Sequence, residues 1–143
     1  MDPLTSARRR LAGTTALPGI LDAAYDAFDD LLALLRRHQE DDELAFPAFV
    51  LAAAAAANGR DWIAGADALP PAMPRERDND ADQLVHLPVA DVARMAASIG
   101  SELASRLTTV AESSGGAGDQ QCCRGAATEA RTIVALLSGA SAP

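Results

Sequence analysis

The sequence predicts an all-α protein: a four-helix bundle with a long Pro-rich crossover strap between its second and third helices. Three observations lead there. Alanine, the strongest helix former, makes up roughly a quarter of the 143 residues. Only 3% of residues are aromatic although 49% are apolar, so the core must be built from Leu, Ile, Val and much Ala. Runs of Val, Ile, Thr and Tyr that would read as strands are absent. The length suits one domain able to bury a core without disulfide or metal staples.

Residues 1–16 read as a flexible basic tail carrying Arg8, Arg9 and Arg10. No apolar run follows these arginines, so the segment does not read as a signal peptide. The bundle itself is expected over 17–139, with 140–143 as a second flexible tail. Its first helix is predicted from Pro18 to Gln39. Ile20, Ala24, Ala27, Phe28, Leu31, Leu34 and Leu35 recur at helical spacing on one side, and Asp22, Asp26, Asp29 and Asp30 lie opposite. Acids toward the start and Arg36 and Arg37 toward the end suit the helix dipole.

The second helix is the most informative segment. Leu44 to Ala57 reads Leu-Ala-Phe-Pro-Ala-Phe-Val-Leu and then six alanines, without one polar side chain. As a helix it has no face that asks for water. Asp41 or Asp42 is placed to cap it, Pro47 falls within its first turns, and Asn58-Gly59 reads as its end, with Arg60–Ala64 as an optional further turn. The segment is too short and too Ala-rich to span a bilayer.

Residues 65–87 form the strap, with Pro70, Pro71 and Pro74 and a mixed-charge run from Arg75 to Asp80. A third helix is predicted from Pro88 to Glu112, on Val92, Ala96, Ile99, Leu103, Leu107 and Val110, with Glu102 and Arg106 as a favourable pair one turn apart. After a Gly-rich link, Asp119 is expected to cap a fourth helix that Gly139 terminates. Cys123, Ala126, Ala130, Ile133, Val134 and Leu137 form its inward side.

The composition excludes several chemistries. Every basic side chain is Arg, so Schiff-base and P-loop lysine mechanisms are out. A net charge of −8 opposes binding to a phosphate backbone, so no nucleic-acid partner is expected, and none of the membrane kind. The adjacent Cys122 and Cys123 lack the C-x-x-C redox spacing and do not form a secreted disulfide framework. A place near a helix start is nevertheless one that lowers a thiol pKa. With two histidines and no Glu-x-x-His motif, no metal and no cofactor are expected. The aspartates of the first helix read as a solvated face rather than a Mg²⁺ site.

The leading expectation is a non-enzymatic cytoplasmic bundle, of bacterial composition, that works as an interaction and assembly module. It self-associates, as a homodimer, through the Ala-rich helix, with Phe46, Phe49, Val50, Ala53 and Ala56 as interface residues. The alternative is a small-molecule-binding bundle or small enzyme. Its pocket would lie under the 65–87 strap and use Trp62, His86, His38 and Arg106, the last being the one arginine near the edge of an apolar stripe.

Overall fold

All regular structure among the described residues is helical. The computed structural model describes residues 4–70, 87–113 and 116–140, with five helices: α1 (Thr5–Ala12), α2 (Leu17–His38), α3 (Phe46–Ala64), α4 (Val89–Ser113) and α5 (Ala117–Ala140). No helix is long and apolar enough to cross a membrane among these residues.

The first helix is a correction. The segment expected to be a flexible tail is helical over Thr5–Ala12, and Leu4, Ala7 and Leu11 are fully buried. Those three positions fall on one side at helical spacing. The arginines between them are held as well. Arg10 Nη1 donates to Asp26 Oδ2 at 2.8 Å with Asp30 3.8 Å from its other terminal nitrogen, and Arg8 Nη2 donates to Ser98 Oγ at 3.2 Å. The aspartates of α2 therefore pair with a neighbouring helix instead of facing water alone.

Pro18 and Pro47 each sit in the first turn of their helix, where a missing N–H removes no intrahelical bond. Neither Asp41 nor Asp42 caps α3. Asp42 Oδ1 instead accepts from the Leu44 amide at 2.8 Å, an Asx-type turn that leads the chain into the helix. Asn58-Gly59 does not end α3, which runs on to Ala64. Gly59 is there for contact: a Cβ at that position would overlap the Phe28 ring, so its absence lets α2 and α3 pack closely. Gly139 likewise lies within α5 rather than terminating it.

Contacts fix the order of the long helices. α2 packs on α3, α3 on α5, α5 on α4, and α4 back on α2, while α1 lies against α2 and α4. Phe28 packs against Gly59 and Asp29 bonds to Arg60, and in that register the short link from His38 to Phe46 can join the helices only if α2 and α3 run antiparallel. Ala68 N donates to Asp119 Oδ1 at 3.3 Å and Trp62 lies across Gly125, so α3 ends where α5 begins. Asp119 thus joins two segments instead of capping its own helix. At the α4–α5 crossing a Cβ on Gly100 would come 3.2 Å from Val134 Cγ2 and 3.3 Å from the Ala130 carbonyl. Small residues here and along α3 let backbones approach where aromatics are scarce. α4 begins at the end opposite to where α3 stops. Most of the strap, residues 71–86, lies outside the described residues.

Candidate functional site

Of the residues expected to share a pocket, the three that are described, Trp62, His38 and Arg106, do not converge. His38 is buried at the C-terminal end of α2, with its Nδ1 2.7 Å from Asp41 Oδ2. Trp62 lies at the far end of the antiparallel α3. Counting 1.5 Å per residue from the Phe28–Gly59 contact, the two are roughly 20 Å apart along the helix axes. Arg106 belongs to α4 and faces a different side. His86 lies outside the described residues. Antiparallel packing thus keeps Trp62, His38 and Arg106 in separate places, and the expected pocket under the 65–87 strap lies mostly outside the described residues.

Arg106 does line a cavity. A groove of about 720 Å³ lies between α4 and the corner joining α1 to α2, with Ser98, Ser101, Glu102, Ser105, Arg106, Thr109 and Ser113 along one wall and Thr15 and Ile20 on the other. It continues the furrow that α1, only eight residues long, fills further up. The expected Glu102–Arg106 pair is not among the ion pairs of the described residues, and both side chains border the groove instead. Other arginines are engaged: Arg94 with Asp91 at 3.0 Å, Arg131 with the Thr108 hydroxyl at 2.8 Å, and Arg60 with Asp29 at 2.8 Å.

The thiols show the opposite of activation. Burial, then Asp119 and Asp67, push the Cys122 thiol above its ordinary range; burial, then Asp119 and Cys122, raise Cys123 to about 11. A position in the early turns of α5 does not overcome desolvation and neighbouring carboxylates. Both cysteines are free. Among the described residues no group of three or more His, Cys, Asp or Glu side chains is arranged to hold a metal ion.

The most distinctive surface is the outer side of α3. All of the exposed large apolar side chains of the described residues belong to this helix or the turn before it: Leu44 (94% exposed), Leu51 (56%), Phe46 (41%), Trp62 (39%) and Val50 (38%). Phe49, Ala52, Ala53, Ala56, Gly59 and Ile63 face inward. The opposite arc presents Phe46, Pro47, Val50, Leu51, Ala54, Asn58, Asp61 and Trp62. From Phe46 to Ala57 this arc has no polar side chain. The interface set expected from the sequence is thereby divided. Phe46 and Val50 face outward, whereas Phe49, Ala53 and Ala56 are buried by their own chain and have no surface to offer a second copy. Leu44 was not anticipated. The phase of the helix, set inside by Phe49, Gly59 and Ile63, is the signal that separates the two groups.

The chain matches no protein-family model, no curated protein and no solved structure.

Proposed function

We propose that the chain is a non-enzymatic assembly module, a four-helix bundle of α2–α5 braced by α1, that self-associates through the outer face of α3. One observation carries this reading: the exposed large apolar residues are gathered on one helix face instead of being scattered. Single exposed apolar residues are ordinary on any surface; a contiguous group marks an interaction site. The five together leave on the order of 500 Å² of large apolar side chain in water, near the upper end of the largest patch on a monomer. Two such faces bury about 1,000 Å², the lower bound of a specific interface, which favours a dimer weak enough to dissociate on dilution. Free thiols agree with a cytoplasmic setting, where they stay reduced.

The test is solution mass for Val50→Glu and Leu51→Glu, which place a charge on the outer arc and leave the core intact. Association should be lost while helical content is kept. Retained association would refute the reading.

A second reading rests on the groove beside Arg106, whose volume falls within the range of small-molecule sites. There the chain would bind a small anionic ligand, with the guanidinium as counter-charge and Ser/Thr hydroxyls as further partners. A panel of carboxylates and phosphates tests it: a ligand that raises the melting temperature of the native protein should fail to do so for Arg106→Ala.

A further inference from the structure

The outer face of α3 carries more than a tendency to associate. Its side chains are distributed about one residue, and that distribution defines a register. Phe46 and Trp62, the aromatic ends of the exposed arc, are equidistant in sequence from Ala54. At 100° per residue Ala54 also falls midway around the arc, with Phe46 to one side of it and Trp62 to the other. Ala54, the smallest side chain of the face, thus stands between Phe46, Val50 and Leu51 on its N-terminal side and Trp62 on its C-terminal side, beyond the exposed Asn58 and Asp61.

We infer that two copies pair through antiparallel α3 helices related by a two-fold axis that passes beside Ala54. This inference rests on the self-association proposed above and adds its geometry. Most homo-oligomers have closed symmetry, and a two-fold contact uses the same patch on both copies. With alanine facing alanine at the axis, the two backbones approach to the near end of the interaxial range, about 8 Å.

A two-fold of this kind keeps each residue on its own side of the seam and inverts its height. Leu51 lies on the Trp62 side of the arc, so it comes alongside the partner's Trp62. Helical side chains lean toward their own N-terminus, which brings these two toward each other. Val50, on the Phe46 side, meets the flank of the partner's Ala57. Each half of the seam is completed by the other copy: Trp62, half-covered in one chain by packing across Gly125, is covered on its outer edge by the partner's Leu51. A register centred on Val50 would bury the middle of the face and leave both Trp62 side chains beyond it in water.

Disulfide trapping tests the register, because a bond forms only when Cα atoms come within about 7 Å. In a Cys122→Ser background, Ala54→Cys, Val50→Cys and Asn58→Cys are each oxidised under mild conditions, and the masses of the parent and of each variant are measured in solution. Expected is a parent dimer, a disulfide-linked product of twice the chain mass for Ala54→Cys, none for Val50→Cys or Asn58→Cys alone, and a linked product when those two variants are mixed. A parent dimer in which Val50→Cys links by itself, or in which Ala54→Cys does not link, overturns this register and leaves self-association standing. A parent that stays monomeric throughout the concentration range overturns both.

Discussion

α2 and α3 lie side by side, yet their outward surfaces follow opposite rules. α2 buries Leu, Ala and Phe on one side, and its other side carries aspartates that neighbouring helices answer: Asp26 and Asp30 with Arg10, Asp29 with Arg60. These three aspartates are answered within the chain. α3 buries a thin layer of Ala and Gly around Phe49 and Ile63, and from Phe46 to Ala57 its outward side is apolar and exposed among the described residues. On the proposed reading, the difference marks where a second copy binds. A core explains why a helix is folded, whereas an outward face built against the rule for water-facing helices points to a partner.

The two faces of α3 should respond oppositely to truncation. Phe49→Ala empties a fully buried position and should lower stability by about 3–5 kcal/mol in chemical denaturation. Leu51→Ala should leave the isolated chain within about 0.5 kcal/mol of the parent and act on association. Equal losses at the two positions would erase the distinction between the faces.

Glycine packing sharpens the same contrast at a smaller scale. Gly59→Ala drives a methyl into the buried Phe28 ring and should destabilise by about 1–3 kcal/mol. Gly125→Ala pushes instead on Trp62, whose ring is partly in solvent and free to yield. Its effect should be smaller and should appear as a shift in the emission of the single tryptophan.

A pH effect should come from α5. Cys123 has its pKa raised from 9.0 to about 11 in the folded chain, chiefly by burial. A folded pKa above the unfolded one gives a contribution fully present below pH 9 and lost as pH rises through about 11. Unfolding free energies compared at about pH 8 and about pH 10.5 should show a drop in the parent that Cys123→Ala reduces. Cys122, raised in the same direction, should alkylate more slowly than an unhindered peptide cysteine at neutral pH, since the thiolate is the nucleophile.

The smallest expected effect is that of the bridge between the two helices. Arg60→Ala removes one partner of Asp29 at a partly buried site and should lower stability by up to about 1 kcal/mol, less in high salt. Association itself should respond to salt in the other direction. The chain carries a net charge of −8, and Glu40, Asp41, Asp42 and Glu43 directly precede the apolar face, so screening should strengthen dimerisation.

Much of this was legible in the sequence, for identifiable reasons. The long helices announced themselves through spacing such as Ile20–Ala24–Ala27–Phe28–Leu31, and the absence of polar residues over Leu44–Ala57 marked α3 as exceptional. α1 was missed because its pattern has only three members, Leu4, Ala7 and Leu11, interrupted by three arginines that read as a solvated tail. Their partners, Asp26 and Asp30, lie on another helix, and only folding brings them near. The division of the α3 residues was invisible for a different reason. A run of apolar side chains all around a helix has no phase, so nothing in it distinguishes Phe49 from Val50. Gly59, read as a terminator, is a packing residue whose role depends on Phe28. The groove beside Arg106 is hidden from sequence reading as well, since it arises where α1 stops short of filling the furrow between α2 and α4.

Whether the outer face of α3 holds two copies together is read from solution mass across a concentration series. The mass should climb from the 14.8 kDa of one chain toward twice that value, with Leu51→Glu remaining at one chain throughout. A parent that stays at one chain mass at every concentration, or a Leu51→Glu variant that dimerises as the parent does, would contradict it.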